Sequence, residues 1–376
     1  MRIGIFEMDH FEVAHTLLRL FDQPQHRVSV FTYAASYKQL QAMPALDLSG
    51  FQWIVKEDNQ SKRSFIYTIY KKVKAEKIEL LWLETLSDNF ILYAWLAKML
   101  PDVRILLTIH DINNYFEYPS NGTLRRYIRN TGKKILLKHI DEFTVLNSTM
   151  EAPLRAKLPE GKTVRTIPGA FFDEGRYVNP PSTQPYINIT VPGTIDERRR
   201  DYNAVFALLE YCHAKQIAVR ITLLGGFSEQ YGAGILQQVK EYASVHNNLF
   251  WYDTETVDQP EFDRVMEQTH FIFSPTRIIT VMADDVTEQY GLTKSSGNIG
   301  DMIRFARPAI VPEGLLLEPM FSKSVFRYAD IKEIPDLLIR IRDNSVEYDV
   351  LKQAALEVSR LLTLKNIRAQ HADVFH

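Results

Sequence analysis

The stretch INITVPGTIDERRRDYNAVFALLEYCHAKQIAVRITLLGG, residues 187–226, decides the fold. INITVP is a short β-branched run, DYNAVFALLEYCHAKQ carries helical spacing, and VRITLL is a second apolar run of strand length. A strand, a helix and a strand in close succession predict two parallel strands joined by a helical crossover. Each apolar run ends in glycine, at Gly193 and at Gly225-Gly226, where backbone can come close to a ligand. Between the first glycine and the helix lie Arg198, Arg199 and Arg200, forked cations at the carboxyl end of a strand and well shaped for phosphate. Taken alone, such a run also fits a solvated surface with local ion pairs.

The alternation continues on both sides. Downstream come a helical segment, LFWYDT, QPEFDRVMEQT and HFIFSPT, and then EQYGLTKSSGNIGDMIRFARPAIVP from Glu288 to Pro312. Its Lys294-Ser295-Ser296-Gly297 precedes an apolar helix pattern, and a helix start with a nearby cation is a place to hold an anion. Thr276 ends one more strand, and Asp301 lies about one turn into the helix. The segment by itself is equally what a plain helix cap looks like. Together, Gly193 to Arg200, Gly225-Gly226, Ser274 to Thr276 and Lys294 to Gly297 fall on successive strand ends of one sheet, which predicts a pocket for a phosphorylated or nucleotide ligand.

Upstream, MRIGIF, HRVSVFTY, FQWIV, IELLWLE and VRILLTIHD are apolar runs separated by polar or helical sequence, and EFTVL and TVRTIP extend the series. The fold class is therefore α/β: two doubly wound, Rossmann-like halves built on parallel sheets. Three polar clusters fall on the carboxyl edge of the first: Asp9-His10, Glu84 and His110-Asp111. The Pro-rich RYVNPPSTQPY marks a linker at 176–186. It separates a first domain, 1–175, from a second, 187–350, with a final helical segment at 351–376.

With 376 residues, two domains are expected, and a net charge of −2 argues against nucleic acid as partner. The single cysteine, Cys212, excludes an internal disulfide. The chain opens on a strand pattern, and no apolar run reaches the roughly 20 residues of a membrane span. The expectation is a cytoplasmic protein. Two basic stretches leave open a peripheral place at the inner face of a membrane. NGTLRRYIRNTGKKILLKHI carries Arg125, Arg126, Arg129, Lys133 and Lys134, and SKRSFIYTIYKKVKAEK mixes lysines with Phe65, Tyr67 and Tyr70. Two solvated helix faces would have the same composition.

VPGTIDERRRDYNAVFALLE resembles the strand–turn–helix of retaining GT-B glycosyltransferases of family 4, and TVLNSTMEAPL, TVRTIPGAFF, ILLTIHD and EQYGLT resemble further segments of that family in the same order. The resemblance implies two domains facing across a cleft, with the last helix crossing back to the first. It implies a nucleotide-diphosphate sugar as donor, a glycan or lipid-linked acceptor, retention of configuration, no metal or other cofactor, and a role in cell-surface polysaccharide or glycoconjugate synthesis. It assigns His110 to the donor sugar, and Arg199 and Lys294 to the leaving diphosphate. Gly193, Thr194, Arg198, Gly225, Gly226, Thr276, Glu288, Ser295, Ser296, Gly297 and Asp301 go to the donor, and Asp9, His10, Glu84 and Asp111 to the acceptor side. One departure stands out. Counting from Glu288 puts the family's second acid at Ser296, whereas counting back from Pro308 puts it at Asp301. Related readings are a GT-B-like epimerase or phosphorylase, and a non-catalytic nucleotide-sugar-binding or scaffold protein.

Overall fold

The computed structural model describes residues 1–43, 46–118, 123–281 and 285–376. Asn121 and Gly122, which open the first basic stretch, lie outside them. The first sheet contains β1 (Arg2–Glu7), β2 (Arg27–Tyr33), β3 (Gln52–Lys56), β4 (Leu80–Leu83), β5 (Arg104–Thr108), β6 (Glu142–Val145) and β7 (Thr163–Thr166). All its pairings are parallel, in the order β3-β2-β1-β4-β5-β6-β7. Every residue of β4, LLWL, is buried, as expected when helices cover both faces of a sheet.

The second sheet repeats the plan with β8 (Ile187–Pro192), β9 (Val219–Leu224), β10 (Leu249–Trp251) and β11 (Phe271–Phe273). A short antiparallel hairpin of β12 (Ile279–Val281) and β13 (Thr287–Gln289) follows, then β14 (Ala309–Pro312) and β15 (Val325–Tyr328) complete the sheet. The order is β10-β9-β8-β11-β14-β15, again parallel. The order reverses between β1 and β4 in one sheet and between β8 and β11 in the other. Crevices at such reversals are where doubly wound sheets hold ligands.

The hairpin was not legible beforehand, because TVMADD has no turn signature and its strands are three residues each. Between Glu288 and Pro308 the chain forms a loop, 290–296, and then the helix Gly297–Phe305, with Ser296 at its N-cap.

The final helical segment is not one helix. It comprises Val346–Leu361, Leu364–Gln370 and Ala372–Phe375. Thr363 interrupts it, taking an extended conformation and accepting the backbone N–H of Asn366 to start a new helix. The turn lets the chain reach the first sheet. There Phe375 packs on Phe21 at 4.9 Å and stacks on Trp82 at 6.2 Å, while Arg368 donates to the carbonyls of Arg19 (2.5 Å) and Leu20 (2.8 Å).

One surface expectation is corrected here. Lys133 is 1% exposed and donates to the main-chain and side-chain oxygens of Asn114, at 2.6 and 3.0 Å, so it cannot face a membrane. It lies on the inward stripe of the helix Leu124–His139, while Arg125 and Lys134 are exposed. Among the described residues, no helix is long and apolar enough to cross a membrane.

Candidate active site between two sheet edges

Because β1, β4 and β5 are neighbours, Asp9-His10, Glu84 and His110-Asp111 converge at one edge. Their anchor is Glu7, the last residue of β1 and fully buried. Its Oε1 accepts the backbone N–H groups of Met8 (2.7 Å), Asp9 and His10 (2.6 Å), and its Oε2 accepts the Thr85 hydroxyl at 2.8 Å. Burial and the Glu84 carboxylate push the Glu7 carboxyl up to about 7, against the N–H donors that favour its anion. Glu84 accepts from Trp82 Nε1 at 3.0 Å and from the Thr108 hydroxyl, and its Oε1 lies 3.0 Å from His110 Nε2. Burial pulls the His110 imidazole down, but the bond to Glu84 and the charges of Glu84, Glu7 and Asp111 outweigh it and raise its pKa. The His10 ring lies 4.6 Å from the His110 ring. A histidine fixed by a carboxylate and aimed at a cleft can donate or accept a proton, or hydrogen-bond a sugar hydroxyl.

The second domain meets this edge through the loop after its hairpin. Ile112 N–H donates to Thr293 O at 2.7 Å, and Ser295 N–H to His110 O at 3.2 Å. Lys294 Nζ binds the Asp111 carboxylate across the cleft. Glu288, 1% exposed, accepts the Asn114 backbone N–H at 2.7 Å, satisfying one of the open donors at the start of the helix Ile112–Phe116. Burial pushes its carboxyl up to about 7. Both residues therefore tie the domains together.

At the second edge, the cation at the reversal is Arg200. Its Nη2 donates to Pro192 O (2.6 Å) and Asn298 Oδ1 (3.1 Å), and its Nη1 to Thr194 O (2.6 Å). Asn298 in turn donates to Ser274 Oγ at 2.9 Å, which lies 2.8 Å from Thr276 Oγ1. One network thus links the ends of β8 and β11 to the first turn of the helix Gly297–Phe305. Gly193 makes room for it. Its φ is +92°, and a Cβ there would stand 2.8 Å from Arg200 Nη2. At the next strand end, a Cβ on Gly225 would meet Gly193 O at 2.3 Å, and one on Gly226 would meet Glu255 O at 1.9 Å. Ser296 takes an extended conformation with no side-chain capping bond, and Gly297 opens onto free space.

Arg198 and Arg199 stand to one side. Both share Asp196, at 2.6 and 3.6 Å, and Arg198 covers the Tyr231 ring at 3.5 Å from its centroid. Asp301 lies within electrostatic reach of Arg304, Glu12 and Arg200. Burial, opposed by Arg304 and reinforced by Glu12 of the first domain, pushes its carboxyl up to about 7. Among the described residues no group of His, Cys, Asp or Glu is arranged to hold a metal ion. Sequence reasoning missed Glu7, Thr85, Arg200 and Asn298 as site residues. Arg200 is the third member of a run whose first two were chosen, and nothing linear separates the three. Glu7 looked like the end of a buried strand.

Residues 12–171 match the model of Glycosyltransferase Family 4. No curated protein matches the chain in sequence. Among solved structures, the sucrose-phosphate synthase of Thermosynechococcus elongatus superposes with a TM-score of 0.68 at 15% identity, covering 100% of this chain and 98% of that one. The pneumococcal O-GlcNAc transferase GtfA, in complex with UDP and GlcNAc, gives 0.63 at 10% identity over 100% and 98%. A UDP-GlcNAc 2-epimerase from Neisseria meningitidis bound to UDP-GlcNAc gives 0.59 at 11% identity over 99% of each chain. At these identities the likeness shows the two-domain GT-B fold. Residues 12–171 thus carry the sequence pattern of Glycosyltransferase Family 4, within a chain that has the GT-B fold over its whole length.

Proposed function

We propose that the protein moves a sugar from a nucleotide-diphosphate donor, held at the edge of the second sheet, to a glycan or lipid-linked acceptor held by the first domain. The observation that carries this is the network from Arg200 through Asn298 and Ser274 to Thr276, at the start of a helix and facing His110 across the cleft. Breaking the anomeric C–O bond loads negative charge on the leaving diphosphate. Arg200, Lys294 and the N–H groups at Ser296 and Gly297 are preplaced to receive it, which stabilises the transition state more than the ground state. For Lys294 this requires exchanging Asp111 for phosphate oxygens. Arg198, Arg199, Thr194 and Gly193 to Gly226 form the nucleotide side of the pocket, and His110, oriented by Glu84, touches the sugar. No metal takes part, and the anomeric configuration is retained. Residues 176–186 act as hinge between domains 1–175 and 187–350. The product belongs to cell-surface polysaccharide or glycoconjugate synthesis.

Calorimetry with UDP and with nucleotide sugars, followed by product analysis with and without acceptor, tests the assignment. Binding lost in Arg200→Ala supports it, and no nucleotide binding at all refutes it. The acid–base cluster of Glu7, Glu84, His10 and His110 favours one second reading, an epimerase that works on the donor alone. Turnover without acceptor would reveal it.

For the acceptor side we propose docking on an anionic membrane through the helix Leu124–His139. Leu124 and Tyr127 are 75% and 70% exposed beside Arg125, and apolar and basic groups on one exposed turn suit a headgroup layer. Cosedimentation with anionic vesicles, lost on charge reversal at Arg125, Arg126 and Lys134, is the check.

A further inference from the structure

The helices Lys62–Ala75, Phe90–Met99 and Leu124–His139 hold five, one and six basic residues and not one acid, in a chain whose net charge is −2. They form one layer over the first sheet. Their inner sides share a core through Phe65, Phe90 and Leu136, and a Cβ on Gly132 would stand 2.5 Å from the backbone nitrogen of Ile91. Trp95 closes the other seam, 6.3 Å from Tyr67 and 5.1 Å from Tyr70. Helix dipoles do not account for the charge. Cations suit a last turn, where Lys74, Lys98 and Lys138 stand, but the first turns hold Lys62, Arg63, Arg125 and Arg126 and no acid. Asp88, Glu76 and Asp285 pair with Lys62, Lys72 and Arg126, while Lys71, Lys74, Lys98, Arg125, Lys134 and Lys138 are exposed.

Basic groups alone would suit any polyanion. Here Tyr67, Ile91, Met99, Leu124, Tyr127 and Ile128 are exposed among them, the mixture that suits headgroups lying over acyl chains. Lys71 and Lys74 sit over the rings of Tyr67 and Tyr70, at 4.6 and 5.5 Å, so cation and aromatic share one level, as at a membrane interface. The layer also has a direction. The helix Phe90–Met99 begins shortly after Glu84, and the helix Leu124–His139 begins where Arg126 lies 3.1 Å from Asp285 of the second domain. Ile91, Leu124, Tyr127 and Ile128 all fall in the first two turns of these helices, beside the cleft. From the second domain, the hairpin that carries Glu288 adds exposed Ile279 and Val281. Most of these exposed apolar groups thus gather at the cleft mouth.

We infer that this whole layer lies on an anionic bilayer with the cleft mouth against it, and that the acceptor is a lipid-anchored molecule taken from that surface. The inference rests on the sugar transfer and docking proposed above, and it chooses between a soluble glycan and a lipid-linked acceptor. In the transfer, the acceptor hydroxyl oxygen bonds to the anomeric carbon and the bond from that carbon to the diphosphate breaks. The hydroxyl proton leaves with the nucleoside diphosphate. Confinement to the bilayer raises the acceptor's effective concentration at a cleft seated on it.

Cys212 is buried, so a fluorophore can be placed at one introduced cysteine at a time. Tyr127→Cys, Tyr67→Cys and, on the second domain, Val245→Cys are each labelled and mixed with vesicles containing doxyl-quencher lipid. The vesicles are phosphatidylcholine alone or mixed with phosphatidylglycerol. Quenching at 127 and 67 with the anionic vesicles, and none at 245, is expected. The double variant Lys71→Glu, Lys74→Glu should partition roughly tenfold or more weakly, with circular dichroism checking its fold. Quenching at 127 without 67 confines docking to one helix and overturns the layer. Quenching at 67 without 127 lifts the cleft mouth off the bilayer and overturns it too, and a response at neither site removes docking altogether. Nucleoside diphosphate release from labelled UDP- and GDP-sugars is then followed with the lipid extract and with the water-soluble glycans of the source cells. Release with the lipid extract, with label passing into the organic phase, is expected. Release with soluble glycans only overturns the inference and leaves sugar transfer standing; release with neither removes the transfer reading itself.

Discussion

At the edge of the first sheet, side chains bond to side chains: Glu7 to Thr85, Glu84 to Trp82, Thr108 and His110. At the edge of the second, glycine and main chain dominate the surface, with Arg200 held by two carbonyls and one amide. The first edge is a preorganised acid–base cluster whose polar capacity is already engaged. The second leaves backbone open at Ser296 and Gly297, beside a forked cation that the main chain holds in place. Reaction chemistry needs the first kind of order, because fixed dipoles cost no rearrangement in the transition state, and tight approach to a phosphate needs the second.

The sharpest way to break this contrast is to remove the second edge's cation. Arg200→Ala should lower kcat by roughly 10²- to 10³-fold, the scale for a lost transition-state donor, and also lower the melting temperature, because the Pro192 and Thr194 carbonyls lose their donor; steady-state kinetics on an identified donor would measure the first effect. Lys294→Ala should cost somewhat less, about 10²-fold, because the same change also frees Asp111. If both variants kept full activity, the second edge would not be the donor site. Gly193→Ala attacks the backbone instead. A Cβ at φ +92° and 2.8 Å from Arg200 should destabilise the fold by about 1–2 kcal/mol in urea unfolding and displace the guanidinium, raising KM for the donor more than it lowers kcat.

At the first edge, Glu84→Gln keeps the shape and removes the charge that raises the His110 pKa, so the limb of the pH–rate profile due to His110 should move to lower pH. An unmoved limb would take His110 out of the reaction. The smallest effect belongs to Asp301, whose folded pKa of about 7 exceeds its ordinary 3.8. Between those values the folded state holds more protons than the unfolded one, so this group's contribution to stability falls as pH rises through that window. Asp301→Asn should therefore unfold at a higher temperature than the parent at pH 8, by an amount on the order of 1 kcal/mol, and show little difference near pH 4.

How much was legible follows from the same contrast. Period and turn signals along the chain gave both sheets, because an apolar run between a glycine and a helix has few other uses. His110, Glu84 and Asp9 were identifiable because each closes a strand, and the neighbouring of β1, β4 and β5 brought them together. Strand ends do not tell which of three adjacent arginines turns inward; that is decided by the room Gly193 leaves and by Asn298, which lies 98 residues away from Arg200. Glu288 was chosen for a family position, yet it accepts the Asn114 N–H at a helix start in the other domain, a contact that depends on how the domains meet. The broken C-terminal segment kept helical spacing across Thr363, so periodicity could not reveal the turn.

The chain passes between the domains twice, once after β7 and once on its return after Leu361. These passages touch: Phe172 N–H donates to Leu362 O at 2.9 Å, and Phe172 pairs with Thr363 in parallel fashion. A single covalent thread would leave one domain free to swivel about all three axes relative to the other. Two threads bonded side by side behave as a strap that bends across its flat face and resists twisting. A rotation of one domain against the other would therefore have to bend both passages together.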